Sequence, residues 1–147
     1  MKWFQAMAVA GIFACGISGA LAVDTEQSID APDLSAVRAK IKLREFRGAI
    51  TELNGMIDRG VQHADVYSLL GYSLRKSGDQ KTAMTFYTKA LEFNPEHKGA
   101  LEYQGELLVE TGDLARARAN AAKLAQLCPQ GCEEREDLDQ AIRTAQR

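Results

Sequence analysis

The sequence predicts an all-α fold, a stack of helix-turn-helix hairpins closed by a last helix. Three observations predict it. Two stretches match when shifted by 34 residues: Gly71 aligns with Gly105, Gly78 with Gly112, Asp79 with Asp113, Ala83 with Ala117 and Pro95 with Pro129. Apolar residues within each stretch recur at helical spacing, as Val66, Tyr67, Leu70 and Leu74 do. Each period is broken twice, by Gly-Asp in the middle and by proline at the end. Small residues and prolines repeating at this period mark stacked hairpins, each burying its apolar face against a neighbour.

The first element precedes the stack. Lys2 gives a positive start, Trp3 to Val23 carries no charge, and Ala20-Leu21-Ala22 supplies the small residues of a cleavage site. Residues 1–22 are therefore expected to be an export signal cut before Val23. The rival reading is an uncleaved membrane anchor, since the stretch is long enough to span a bilayer. Against it stand its alanine and glycine content, Gln5, Ser18 and the acidic residues that follow. Cys15 is preceded by Ile12-Phe13-Ala14, a poor context for lipidation. Residues 23–33 are polar and acidic, with the reading of a flexible leader. The protein is then expected outside the cytoplasm, in the periplasm of a Gram-negative source.

The chain has 147 residues with 18 basic and 20 acidic side chains, and loss of Lys2 makes it more acidic still. That balance argues against nucleic acid, which requires a basic face. The length beyond residue 22 suits one domain.

The better copy covers 64–97. Its first helix carries Gly71 in mid-course, where glycine costs about 1 kcal/mol relative to alanine. Such a glycine is retained where another backbone must come close. Ser77-Gly78-Asp79 ends that helix, and Asp79 is placed to cap the next. Ala83, Tyr87 and Ala90 share one face of the second helix, which Asn94-Pro95 stops.

These residues resemble the tetratricopeptide repeat family. Counted from Ala64, the family's pattern is met by Tyr67, Leu70-Gly71, Gly78, Ala83, Tyr87, Ala90 and Pro95, with Leu74 in place of the usual tyrosine. The copy over 98–131 keeps Gly105, Leu108, Gly112, Ala117 and Pro129. It departs at Leu101, Gln104, Ala121 and Leu124, which implies packing with smaller side chains. A degenerate copy covers 34–63, with Phe46, Ala49, Ile50, Leu53 and Met56 on one helical face and a short first half read as a frayed cap. Residues 132–147 make one capping helix, with Leu138, Ala141, Ile142 and Ala145 inward and a charged outer face. The resemblance implies a right-handed superhelix.

It also implies a working surface, because family members line a concave groove with the first helix of each hairpin. Matched positions are Asp65, Ser68, Tyr72, Arg75 and Lys76, then Gly99, Glu102, Glu106, Val109 and Glu110, with Arg38, Ile41 and Lys42 from the degenerate copy. One end of such a groove is basic and the other acidic, which suits an extended segment with charges in a set order. The competing reading is that Glu102, Glu106 and Glu110, at i, i+4 spacing, form a solvated face. The lysine and asparagine with which some members clamp a terminal carboxylate are absent, since Ser68, Tyr72, Glu102 and Glu106 stand there.

Cys128 and Cys132 flank Pro129-Gln130-Gly131. A Pro-Gly turn can join their sulfurs, and export places them in an oxidising compartment, so a structural disulfide pinning the cap is expected. Closing so short a loop contributes about 2 kcal/mol. The alternative is a thiol- or metal-handling pair, for instance with copper(I). Thioredoxin-like spacing and a haem-attachment histidine are both missing. His63 and His97 stand one repeat apart, too far for one zinc ion without convergence of their side chains. No nucleophile–base pair, phosphate loop or paired carboxylates in an apolar pocket can be found. The reading is a non-enzymatic module without cofactor or metal. It is expected to bind an unidentified protein or peptide and to be monomeric or weakly oligomeric.

Overall fold

A computed structural model describes residues 31–147. The expected export signal over 1–22 and most of the expected leader lie outside the described residues. Seven helices follow among the described residues: α1 Ser35–Lys42, α2 Phe46–Asp58, α3 Ala64–Lys76, α4 Gln80–Phe93, α5 Lys98–Glu110, α6 Leu114–Leu127 and α7 Glu133–Ala145. They pair as hairpins α1–α2, α3–α4 and α5–α6. Each second helix also packs on the next first helix, and α7 closes the row against α5 and α6.

The helix starts follow from side chains that satisfy free backbone N–H groups. Asp79 accepts from the Thr82 N–H and Asp113 from the Arg116 N–H, so the repeated Gly-Asp both ends one helix and begins the next. His63 and His97 perform the same service for α3 and α5, accepting from Asp65 and Ala100. The turn residue before each Asp is left-handed: Gly78 has φ +95° and Gly112 +86°. In the degenerate copy that position is Arg44, which holds φ +62° without being glycine.

Packing at the repeated glycines differs between copies. A Cβ on Gly71 would lie 2.7 Å from the Tyr87 ring and 3.1 Å from the Ala83 carbonyl oxygen. The expected close neighbour of Gly71 is thus mainly an aromatic ring, with backbone second. A Cβ on Gly105 would lie 2.5 Å from Leu138 of α7. Ala121 occupies the position of Tyr87, and the cap helix supplies the missing bulk.

The α5–α6 hairpin also exchanges an apolar contact for a polar one. Leu70 and Phe86 belong to one apolar cluster in the first good copy. Their counterparts Gln104 and Asn120 are hydrogen-bonded at 3.0 Å, and Asn120 also donates to the Leu101 carbonyl. Buried Gln104 reaches Thr88 Oγ1 as well, so its amide is partnered on both sides.

Two expectations are corrected. The start of the degenerate copy is not a frayed cap: Leu34 and Val37 are buried in the same cluster as Leu53, which anchors α1 on α2. Ala145 does not face inward; it is exposed at the end of α7, while Leu138 and Ile142 carry that helix's burial.

Candidate interaction groove

The first helices α1, α3 and α5, joined by α7, enclose a groove of about 690 Å³. Eight of the thirteen sequence-predicted groove positions line it, among them Ser68, Tyr72, Lys76, Glu102 and Glu106. Arg38, Asp65 and Gly99 are the other three.

Arg75, Val109, Glu110, Ile41 and Lys42 are not among the lining residues. Val109 packs against the apolar cluster of α5, α6 and α7. The Arg75 side chain is 7% exposed, and its guanidinium forks onto Glu106 and Glu110, each at 2.6 Å. Gln80 adds a bond to Glu110 at 3.1 Å. Burial alone would lower the Arg75 pKa, but the hydrogen bonds to Glu110 and Glu106 overcome it and raise it. The same hydrogen bond from Arg75 lowers the pKa of Glu110. Arg75 therefore clamps α3 to α5 rather than facing a ligand. Bidentate pairing of this kind fixes geometry as much as it stabilises.

The floor is aromatic. Tyr72 and Tyr103 lie 4.8 Å apart between ring centroids, Phe46 meets Tyr72 edge-on at 6.4 Å, and the Lys76 ammonium sits 5.3 Å from the Tyr72 centroid. Burial, followed by the nearby Glu102 carboxylate, pushes the Tyr103 hydroxyl up to about 12.

One wall is organised around Asp65. His97 Nδ1 accepts from the Ala100 N–H, so Nε2 carries the proton and donates to Asp65 Oδ1 at 2.9 Å. Arg38 approaches the same oxygen at 3.7 Å, and His63 lies 3.6 Å from the other. Only His97 bonds the carboxylate; His63 Nδ1 accepts from the Asp65 N–H and lies beside it without a bond. Among the described residues no group of three or more His, Cys, Asp or Glu side chains could hold a metal ion.

The opposite wall is acidic. Glu102 and Glu106 of α5 are joined there by Glu133, Glu134 and Asp137 of α7. Glu106 is taken by Arg75, and Glu134 lies 3.7 Å from Lys98. Glu102 is 8% exposed and has no hydrogen bond or ion pair to any described residue. Burial first, then the charges of Glu106, Asp137, Glu134 and Glu133, push its carboxyl up to about 8. Ser68 Oγ is also buried without a hydrogen-bond partner.

Reading by repeat position missed Tyr103, Glu133, Glu134 and Asp137. A signal for Glu133 was present, since a further shift of 34 residues places it in register with Asp65 and Gly99.

At the far end, Cys128 closes α6 and Cys132 precedes α7. Their sulfurs lie at disulfide distance, with Cα atoms 6.0 Å apart. No described helix is long and apolar enough to cross a membrane.

Comparison with known proteins agrees with this architecture. Residues 64–97 match the tetratricopeptide repeat family. Uncharacterized protein ycf37 of Pyropia yezoensis is 28% identical over 83 residues, 56% of this chain and 44% of that protein. The probable biofilm formation methyltransferase WspC of Pseudomonas putida KT2440 is 44% identical over 55 residues, 37% of this chain and 13% of that protein. The chain spans less than half the length of either relative.

Proposed function

We propose that this chain, a stack of helical hairpins built around a tetratricopeptide repeat, is a non-catalytic adaptor whose concave groove holds an extended segment of another protein. Repeats of this family are protein–protein interaction modules, and residues 64–97 carry the match. The observation that carries the reading is the groove itself. It is continuous across α1, α3, α5 and α7, floored by Tyr72 and Tyr103, and edged by polar groups that lack partners. Unpaired carboxylates beside half-buried aromatic faces are features that a bound segment satisfies. The methyltransferase name of the second relative does not transfer, since the match covers 13% of that protein.

The uncharged stretch and small-residue site of residues 1–22 support action outside the cytoplasm, and the Cys128–Cys132 distance suits a disulfide that ties α6 to α7 there. A photo-crosslinking residue placed at Tyr72 should trap a defined partner in the producing cell. The same residue at Ala119, exposed on α6, should trap none. Equal capture from both positions would overturn the groove reading. Fractionation should find a shortened chain outside the cytoplasm; a full-length cytosolic chain would overturn export.

A further inference from the structure

We propose that the segment held in this groove is basic, and that the cationic head of an arginine or lysine docks between Glu102 of α5 and Glu133 and Asp137 of α7. The inference rests on the groove reading above and names the chemistry of its occupant.

Three independent features converge. Of the groove's own lysine and arginine side chains, Lys98 pairs with Glu134 and Arg38 with Asp65, while Lys76 rests on the Tyr72 ring. Three of its carboxylates differ: Glu102, Glu133 and Asp137 form no ion pair with any described residue. Glu102 is more than nine-tenths buried as a residue, no described donor reaches it, and its carboxylate oxygens stay open to the groove. A carboxylate set beside other carboxylates and partly withdrawn from solvent gains most from a cation, and a guanidinium supplies both charge and N–H groups. The Tyr72–Tyr103 pair provides aromatic faces for the alkyl stem or guanidinium plane of such a side chain, and Lys76 already rests on Tyr72 in this manner.

An anionic or neutral segment fits worse. It would bring no donor charge to Glu102, and an anionic one would add like charge beside the α7 carboxylates.

The test uses the full chain and fluorescein-labelled hexa-arginine, with hexa-citrulline as the neutral isostere and hexa-glutamate as the acidic control, titrated by fluorescence anisotropy at physiological salt. Hexa-arginine should bind and the other two should not. E102Q, which keeps the shape of the side chain, should weaken binding about tenfold, the scale of one charge-assisted hydrogen bond. E136Q removes an equally negative charge from the exposed face of α7 and should leave affinity unchanged. Equal weakening by E102Q and E136Q would reduce the effect to general electrostatics and overturn the proposal. So would equal binding of hexa-citrulline, or no binding of hexa-arginine. Gly99→Trp separates the two levels of the argument, since a Cβ there meets only ordinary contacts and the ring fills the groove. If neutral or acidic peptides bind and Gly99→Trp abolishes it, the groove reading stands and the basic segment does not. If Gly99→Trp leaves all peptide binding intact, both fail. Circular dichroism of each variant shows that the helices are retained.

Discussion

The repeat over 64–97 and the repeat over 98–131 place a glycine at the same point of the same helix and fill the space beside it in different ways. Gly71 is filled from within its own hairpin, by the Tyr87 ring. Gly105 is filled from outside, by Leu138 of α7, because Ala121 leaves the tyrosine's place vacant. A second pair of positions follows the same division. Leu70 and Phe86 are apolar in the first repeat, whereas Gln104 and Asn120 bond to each other in the second. One period can thus hold two packing schemes. At this notch the middle repeat fills its own space, and the next repeat fills its space from the cap.

The difference can be broken first at the glycines. Gly71→Ala forces a buried ring and a carbonyl oxygen apart and should destabilise the chain by about 2–3 kcal/mol. Gly105→Ala meets only the branched end of Leu138, and the gain in helix propensity offsets part of the clash. It should cost no more than about 1 kcal/mol. Thermal unfolding of the two variants measures the contrast, with the Gly71 variant melting lower. Equal melting points would mean that the two notches are packed alike.

A smaller effect sharpens the comparison on the groove side. Tyr72 of the first repeat is aromatic, while the second repeat carries the buried Glu102 one turn before the aligned Glu106. The raised carboxyl of Glu102 favours its protonated form in the folded state. The folded chain therefore holds more protons than the unfolded chain between the ordinary carboxyl range and about pH 8, and stability declines as pH climbs through that window. Glu102→Gln removes this dependence. It should stabilise the protein at pH 8.5 by on the order of 1–3 kcal/mol, with discount for solvent screening, and have little effect near pH 4. Urea titrations at the two pH values decide it, and a constant difference between them would contradict the assignment. The Glu110 carboxyl runs in the opposite sense: its lowered value means that the contribution of the Arg75 contact is lost as pH falls through the acid range.

The smallest expected effect belongs to the degenerate copy. Arg44 holds the left-handed position that Gly78 and Gly112 hold elsewhere. Arg44→Gly should stabilise by about 1 kcal/mol, since a side chain in that region is strained by 1–2 kcal/mol. A lower melting temperature would show that the arginine side chain contributes more than its backbone costs.

Much of the fold was legible because its signals are local. Gly78, Asp79, Gly112, Asp113 and the two prolines act on their own turns, and a short stretch of sequence contains everything needed to read them. What escaped depends on reach between units. The repeat positions of Arg75, Glu106 and Glu110 were visible, but not that a long guanidinium crosses from α3 to both carboxylates and leaves the groove's surface. His63 and His97 are one repeat apart in sequence, and Asp65 meets both, His63 through its backbone N–H and His97 through its carboxylate. Tyr103 was overlooked because its repeat counterpart is Leu69, an unremarked groove residue rather than a family landmark. Leu138 was expected to face inward, yet nothing in the sequence named Gly105 as its seat.

Reliance of the second repeat on α7, beside a first repeat that fills its glycine notch from its own hairpin, is open to a direct test by hydrogen exchange and mass spectrometry on Leu138→Ala. This change empties the space beside Gly105. Helices α5, α6 and α7 should lose protection while α3 and α4 keep theirs. Uniform loss along the chain, or unchanged protection in α5, would show that the two repeats draw on the cap alike.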